Sequence, residues 1–300
     1  MSGTWQAGDM PLVGKTASGA RLAPGLHFIA TPIGAARDIT LRALDLLAQA
    51  DMLAAEDTRS LRHLMDIHGV ALNGRHIVAY HDQNGDFARP KIMSALEQGQ
   101  SVVYASEAGT PLVADPGYQL GHAAIDAGYP VYAAPGPSAV LAALTVSGLP
   151  SDRFMFAGFP PRTMQARQNW FSEMSSIQAT LIFYESPKRL KDTLADMAAA
   201  FGTDRRAVVC RELTKKFEEV LRGPLHDLAQ ALEDRTIKGE IVVLVDRAEK
   251  IAVTEADLDA MLRHRLEDLS LKDASAEVAK ELGLKKRDVY QRALALSKGA

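Results

Sequence analysis

Three loops of small residues, prolines and carboxylates are the parts of this sequence best suited to bind a small molecule. The most informative one covers residues 106–117, follows an apolar run and contains Glu107 and Asp115. The other two cover residues 31–40 and 133–139. Glycine lets the backbone approach a ligand closely, and carboxylates accept hydrogen bonds. A single loop of this kind is equally consistent with an ordinary strand–helix connection, but three of them together predict a ligand site.

The elements around these loops indicate an α/β fold. Leu41, Leu44 and Leu47 recur at helical spacing, and Thr40 or Asp38 can cap their helix. Predicted strands and helices alternate along the chain. This alternation is typical of a parallel sheet covered by helices, and such sheets bind ligands at the carboxyl ends of their strands. In the first half of the chain, the pattern predicts strands at residues 26–30, 52–55, 76–79, 102–105 and 131–133.

The second half predicts a mixed sheet. Its helices are expected at residues 188–201 and 224–233, and only a short turn precedes the strand at 217–222, so that strand is expected to pair antiparallel. The turn-rich residues 148–153 form the expected boundary between the two halves. The predicted strands of this half are residues 154–158, 180–184, 207–210, 217–222 and 241–245.

The two ends of the chain differ from this α/β region. Residues 1–24 are rich in Gly, Ser, Ala and Pro and predict a flexible leader. Residues 270–290 read as helix, glycine turn and helix, as in a helix-turn-helix unit. Its Lys285, Lys286 and Arg287 are candidates for phosphate contact, and a helical cap or a dimerisation element is the alternative. The expected domains are therefore residues 1–24, 25–149, 150–247 and 248–300.

Composition excludes several classes of site. The single cysteine, Cys210, rules out an intramolecular disulfide and a multi-cysteine zinc site, and its apolar neighbours favour a buried strand thiol over a reactive one. No apolar run reaches the roughly 20 residues that span a bilayer, and no secretory pattern is found at the N-terminus. We therefore expect a cytoplasmic protein without membrane attachment.

A net charge of −3 does not indicate a nucleic-acid binder by itself. Phosphate attraction depends on a local basic surface, so a converging subset of cations would suffice. A cation that does not belong to such a surface is an ordinary solvated charge. The candidates are Arg37, Arg59, Arg62, Arg162, Arg167, Lys188, Arg189, Lys191, Lys215 and Lys216.

Five motifs, together with the three loops, resemble the tetrapyrrole-methylase superfamily of S-adenosylmethionine-dependent enzymes. Within it they are most similar to the branch that methylates a ribose 2′-hydroxyl of small-subunit ribosomal RNA. The resemblance extends from about residue 25 to about residue 246. The motifs are Ala-Thr-Pro-Ile-Gly (30–34), Asp-Ile-Thr-Leu-Arg-Ala-Leu (38–44), Ala-Glu-Asp-Thr-Arg (55–59), Phe-Tyr-Glu-Ser-Pro (183–187) and Arg-Glu-Leu-Thr-Lys (211–215).

The resemblance implies the class III methyltransferase fold, with two α/β domains, a mainly parallel N-terminal sheet, a mixed C-terminal sheet and a small C-terminal helical unit. It implies S-adenosylmethionine as the cofactor, a homodimer, no metal, and a cytidine in the decoding region of 16S rRNA in the small ribosomal subunit as the target. The cofactor-binding residues it implies are Pro32, Gly34, Ser106, Glu107, Ala108, Gly109, Thr110, Ala134, Pro135, Ser138, Ala139, Tyr184, Glu185, Arg211, Glu212, Leu213, Gly239, Glu240 and Ile241.

Catalytic groups are less well defined by the sequence. A ribose hydroxyl is a poor nucleophile, so a carboxylate or a neutral lysine could serve as general base. Asp57, Arg59 and Lys215 are the candidates, with Glu56 beside them, but Asp57 could instead cap a helix and pair with Arg59. Two other functions stay open: a methyltransferase acting on carbon of a corrin or porphyrin, and a non-catalytic RNA-binding protein on the same fold.

Overall fold

The computed structural model describes residues 22–81, 83–114, 116–248, 255–282 and 284–298. The predicted flexible leader therefore lies almost entirely outside the described residues, and Asp115 lies outside them too. In the described residues no helix is long and apolar enough to cross a bilayer.

From residue 25 to residue 245 strands and helices alternate, apart from one pair of consecutive strands, and helices follow. The strands are β1 (Gly25–Ile29), β2 (Met52–Ala55), β3 (Ile77–Ala79), β4 (Ser101–Ala105), β5 (Val131–Ala134), β6 (Phe154–Gly158), β7 (Thr180–Glu185), β8 (Arg206–Arg211), β9 (Glu219–Pro224) and β10 (Ile241–Val245). The helices are α1 (Leu41–Gln49), α2 (Thr58–Ile67), α3 (Gly85–Glu97), α4 (Tyr118–Asp126), α5 (Ala139–Ser147), α6 (Met164–Met174), α7 (Leu190–Phe201), α8 (Leu225–Leu232), α9 (Glu255–Leu266), α10 (Leu271–Leu282) and α11 (Lys286–Lys298).

The first sheet is fully parallel, as predicted. Its strand order is β3-β2-β4-β1-β5, with β1 between β4 and β5. All residues of β1 and β4 are buried, as expected for central strands covered by helices on both faces. The order places the loops that follow β1, β4 and β5 side by side at one edge of the sheet. These are the three loops that the sequence identified.

The second sheet is mixed, also as predicted, with the order β6-β7-β10-β8-β9. Strands β6 and β7 are parallel, whereas β10 is antiparallel to both β7 and β8, and β9 is antiparallel to β8. Strand β9 begins two residues later than the predicted residue 217. The reason is a turn closed by hydrogen bonds from the Lys215 amide to the Glu212 carbonyl and from the Glu218 amide to the Lys215 carbonyl.

Helix α5 connects the two sheets through its packing. Its N-cap Ser138 accepts a hydrogen bond from the Leu141 amide. The buried Val140 and Ala143 belong to one apolar cluster with Val208 of β8 and Val242 of β10. A helix that follows the first sheet in sequence thus packs on the second, and the described residues up to 248 form one compact unit. The domain division at residues 149 and 150 stays a prediction.

Helices α9 to α11 form a second compact unit. Its small core contains Leu262, Val278 and Val289. Arg292 of α11 donates to both carboxylate oxygens of Asp259 in α9, at 2.5 and 2.7 Å. The pair α10 and α11 corresponds to the predicted helix-turn-helix.

Candidate functional site

A cavity of about 480 Å³ opens where strands of both sheets end. The first sheet contributes the loops after β1, β2, β4 and β5. The second contributes the ends of β7 and β8 and the start of the antiparallel β10, which lies at the same edge. The lining residues are Ile33, Glu56, Glu107, Ala108, Thr110, Val113, Ala114, Ser138, Ala139, Phe159, Tyr184, Glu185, Ser186, Pro187, Cys210, Leu213, Gly239, Glu240, Ile241 and Val242.

The three loops of the first sheet are hydrogen-bonded to one another. Thr31 and Gly109 exchange backbone hydrogen bonds at 2.9 and 3.0 Å. The Ser106 hydroxyl donates to the Gly109 carbonyl at 2.6 Å, and the Thr110 hydroxyl donates to the Pro137 carbonyl at 2.9 Å. The loop after β4 is therefore fixed to both of its neighbours, which gives the cavity wall a defined shape before any ligand binds.

The structure brings together eleven of the residues predicted to bind the cofactor. These line the cavity: Glu107, Ala108, Thr110, Ser138, Ala139, Tyr184, Glu185, Leu213, Gly239, Glu240 and Ile241. The other eight are not among the lining residues: Pro32, Gly34, Ser106, Gly109, Ala134, Pro135, Arg211 and Glu212.

Several of those eight support the wall from behind. Ser106 and Gly109 fasten the loops, as described above. Arg211 faces a smaller cavity of about 260 Å³ and pairs with Glu219 at 3.1 Å. Arg211 also donates to the Lys238 carbonyl, at 3.3 Å. Because Lys238 precedes Gly239 and Glu240, Arg211 contacts the loop that carries two lining residues.

The cavity wall is strongly acidic. The twenty described lining residues include Glu56, Glu107, Glu185 and Glu240, and none of them is a lysine, arginine or histidine. Partial burial, and then the charges of Glu56, Asp57 and Glu240, raise the pKa of Glu107. A cation in the cavity would relieve this repulsion, so the wall favours a positively charged ligand.

Glu185 is already engaged in protein contacts. Its side chain is fully buried, and its two oxygens accept from the Ser186 amide at 2.7 Å and from the Thr193 hydroxyl at 2.5 Å. Arg189 pairs with the same carboxylate at 3.2 Å. Glu185 therefore shapes the cavity, while Glu56, Glu107 and Glu240 present the more accessible charge, Glu240 being exposed even though it pairs with Lys215 at 3.0 Å.

The loop that follows β8 holds together the two lobes, which are the parts of the chain built around the first and the second sheet, on one side of the cavity. Glu212 accepts from the Lys215 ammonium and from the Glu240 amide, each at 2.9 Å, and its own amide donates to the Glu240 carbonyl. Thr214 accepts from the Ala35 amide of the first lobe at 3.1 Å. A Cβ on Gly34 would lie only 2.5 Å from Lys215 Cγ, so this contact requires glycine.

Backbone strain is concentrated in two loops at the cavity. In the described residues, five residues other than glycine have positive φ. Leu112 and Ala114 lie in the loop after β4, and Glu212 and Thr214 lie in the loop after β8, while Asn73 is remote in sequence from both. Such strain persists where surrounding contacts fix the conformation, and it is typical of functional sites.

The three predicted catalytic residues are firmly paired. Asp57 is the N-cap of α2 and accepts from the Arg59 and Ser60 amides, and the Arg59 guanidinium pairs with it at 3.2 Å. These hydrogen bonds from Arg59 lower the pKa of Asp57. Burial alone would lower the pKa of Lys215, but hydrogen bonds and charges of Glu212 and Glu240 outweigh it and raise that pKa.

These shifts bear on general-base catalysis. Asp57 is a weak base and Lys215 keeps its proton at neutral pH. The sequence left open whether Asp57 caps a helix and pairs with Arg59. In the structure it does both. Arg59 is 92% exposed and its positive charge also acts on Glu107, so it is available to a ligand that approaches from solvent.

One predicted surface cation is buried. Arg167 has a side chain that is only 5% exposed and pairs with Asp196 at 2.5 Å. It lies on the inner face of α6, against α7, and is not available to phosphate. The helical spacing of the residues did not distinguish Arg167 from an exposed arginine, because a single arginine on an apolar helix face is normally interpreted as a surface charge.

Sequence reasoning did not predict the role of several residues at or beside the cavity. Thr31 was recognised only as part of the Ala-Thr-Pro-Ile-Gly motif, yet its backbone joins two loops. Cys210 was expected to be a buried thiol, which is confirmed: burial raises its pKa to about 12, although it is one of the residues that line the cavity. Phe159 was not identified at all, although its position just after β6, before two prolines, was a usable signal.

The chain matches two protein families. The model for Tetrapyrrole (Corrin/Porphyrin) Methylases matches residues 25–229, and that for the RsmI C-terminal HTH domain matches residues 252–297. The chain is also 49% identical to the Ribosomal RNA small subunit methyltransferase I of Mesorhizobium japonicum, over 95% of this chain and 97% of that protein. It is 40% identical to the protein of the same name from Halalkalibacterium halodurans, over 88% and 93%.

Solved structures of low sequence identity share the fold. A diphthine synthase superposes with a TM-score of 0.58 at 19% identity, covering 74% of this chain and 89% of that one. The cobalt precorrin-4 methyltransferase CbiF gives 0.55 at 18% identity, covering 74% and 94%. The fold alone therefore does not select a substrate. The family models and the similar sequences together show that the chain belongs to the tetrapyrrole methylase superfamily, in the family of ribosomal RNA small subunit methyltransferase I.

Proposed function

We propose that this chain uses S-adenosylmethionine to methylate ribosomal RNA of the small subunit, at the ribose 2′-hydroxyl of a cytidine in the decoding region of 16S rRNA. The observation that carries the cofactor assignment is the acidic cavity at the strand ends of the two sheets. The rRNA assignment rests on the relatives' names, and the ribose and cytidine on the motif resemblance. We expect the active form to be a cytoplasmic homodimer.

The residues present fit the cofactor. A volume of about 480 Å³ lies within the usual range for a ligand of this size. S-adenosylmethionine carries a sulfonium and an ammonium, and Glu56, Glu107 and Glu240 give the wall the opposite charge. The Thr110 and Ser138 side chains and the backbone of the three loops supply polar groups for its ribose and adenine. In the described residues, no cluster of side chains suited to a metal ion is found.

The bound cofactor supplies a methyl group already activated by the sulfonium. The protein's task is then to align the hydroxyl with the S–CH₃ bond and to exclude water, and alignment alone can supply a large share of the rate. The fixed loops around Gly109 and Glu212 provide rigid walls for this alignment. Lys215 holds Glu212 and Glu240 in place as a cation, since its raised pKa excludes a neutral amine at neutral pH.

The test uses the purified protein, methyl-labelled cofactor and small subunits from cells that lack this enzyme, followed by mass mapping of the rRNA. Label on the ribose of a single cytidine supports the proposal in full. Label on a base or on another nucleotide keeps rRNA methylation but refutes the finer assignment. Label only on an added corrin or porphyrin identifies a tetrapyrrole methyltransferase, and tight RNA binding without any label identifies a non-catalytic binder.

We place Asp57 and Arg59 where the RNA substrate binds. Two variants separate a role in substrate binding from the capping of α2. Asp57→Asn keeps an oxygen for the α2 cap but removes the charge that holds Arg59. We expect it to fold normally and to lose methyl transfer, as does Arg59→Ala. Full activity of both variants in folded protein would remove these residues from the site.

A further inference from the structure

Phe159 is an aromatic side chain held at the mouth of the acidic cavity. It lines that cavity, yet 57% of it remains exposed. It directly follows β6, whose pairing with β7 shifts register between Phe156 and Gly158. Gly158 has φ of +78°, so the chain turns there in a conformation that favours glycine. The bulge turns Phe159 out of the sheet and towards the cavity mouth.

The loop that carries Phe159 is anchored from behind by two arginines. Arg189 donates to the Pro160 and Pro161 carbonyls at 2.7 and 3.0 Å. Arg167, paired with the buried Asp196, donates to the Arg162 carbonyl at 3.3 Å. Three consecutive carbonyls are thus fixed by charged donors, and two prolines restrict the backbone further. An exposed ring on an immobilised loop is preorganised to contact something outside the protein.

One part of the ring already packs on a second aromatic residue. Phe159 and Tyr184 lie edge to face with centroids 5.5 Å apart, and Tyr184 packs on Phe156 at 4.8 Å. This arrangement fixes the orientation of the Phe159 ring and leaves its outer surface to solvent. Tyr184 also lines the cavity, so the two rings lie next to each other in its wall.

The charge around Phe159 suits a nucleic acid on the outside and a cation on the inside. Arg162, three residues further along the same loop, and Lys188, beside the lining residue Pro187, are both exposed. The cavity itself is acidic. A phosphate backbone is attracted to the exposed cations and repelled from the interior, so only the sugar and base of one nucleotide fit towards the cavity.

We propose that Phe159 is the platform on which an unstacked base of the rRNA substrate stacks, at the methylated nucleotide or immediately beside it. This rests on the proposed function. Proteins that bind single-stranded RNA stack unpaired bases on exposed aromatic side chains, because every base has a flat π-face. The cofactor adenine has the same chemistry, but a ring that is more than half exposed at the mouth faces the direction from which the polymer arrives.

The test compares Phe159→Ala, Phe159→Trp and Phe159→Leu with the wild-type protein. The readouts are the affinity for small subunits in the presence of S-adenosylhomocysteine, the affinity for S-adenosylmethionine, and the methylation rate. Phe87→Ala is the matched control, since Phe87 is 88% exposed on α3 and is not among the lining residues. Loss of one base–aromatic stack predicts an affinity for subunits lower by about fivefold to a hundredfold in Phe159→Ala.

We expect Phe159→Leu to resemble Phe159→Ala, Phe159→Trp to retain binding, and all three to keep the wild-type affinity for S-adenosylmethionine. Equal binding by wild type and Phe159→Ala overturns the proposal, as does full retention by Phe159→Leu, which would indicate apolar contact without stacking. A selective loss of cofactor affinity overturns it in favour of the adenine. If wild-type protein methylates no rRNA, the proposed function fails, while the binding arm still decides the role of Phe159.

Discussion

Replacing Gly239 by alanine tests whether the loop before β10 positions the cofactor. Gly239 has φ of +94°, and an added Cβ would lie 2.4 to 2.5 Å from the Glu212 side chain. Glu212 is the residue that binds both Lys215 and the Glu240 amide. The substitution therefore adds backbone strain and also displaces a carboxylate that supports the cavity wall.

The two effects can be separated by a matched control. Gly202, which ends α7, has φ of +97°, and nothing lies within 4 Å of its added Cβ. Strain at such a φ costs about 1–3 kcal/mol in either variant. Gly239→Ala adds about 1–3 kcal/mol of overpacking, or the loss of a charge-assisted hydrogen bond of similar size if Glu212 rotates away. We thus expect its melting temperature to lie about 2–10 °C below that of Gly202→Ala.

Cofactor affinity provides the decisive assay. Calorimetric titration with S-adenosylmethionine should give roughly tenfold weaker binding for Gly239→Ala, about 1.4 kcal/mol, because Glu240 loses its support. Gly202→Ala should bind as the wild type does. If Gly239→Ala binds normally, or if the two variants weaken equally, the Glu212 contact does not position the cofactor and the reasoning is refuted.

Four further outcomes are expected. Because the pKa of Glu107 is raised, its ionised form opposes folding, so Glu107→Gln should melt higher than wild type at pH 8, with the difference vanishing as the pH falls below the ordinary carboxyl range. The same variant should bind S-adenosylmethionine more weakly at neutral pH and lose the decline of affinity on acidification, which titrations across pH would detect. Lys215→Arg should keep more methyl transfer than Lys215→Met in rate assays, since a raised pKa makes this residue a cation, whereas equal loss in both variants, neither of which carries the lysine amine, would indicate a neutral base. Asp196→Ala should destabilise the fold by about 3–5 kcal/mol in urea unfolding, since it leaves Arg167 buried without its partner, whereas Arg167→Met with Asp196→Leu should lose less.

Local sequence patterns determined the elements and the loops of this protein. Apolar runs located the strands to within about two residues, because the side-chain period and the flanking turn residues are properties of the local chain. Thr40 or Asp38 was predicted in the same way to cap α1, and Thr40 is the cap: it accepts a hydrogen bond from the Ala43 amide at 3.1 Å. The three loops that meet at the cavity were recognised from residue types alone, and the five motifs identified the superfamily.

The tertiary structure decided which residues face the cavity and which hold it in shape. Ser106 and Gly109 belong to the loop after β4, but the Ser106 side chain and the Gly109 backbone join this loop to its neighbour. They do so because the strand order places Thr31 beside them. Arg167 reads as a surface charge and is buried, since α7 lies over its helix face. Phe159 reads as an ordinary apolar residue and reaches the cavity mouth through a bulge. Such roles depend on which distant segment packs against a given face, and that is set by long-range packing, which local periodicity does not encode.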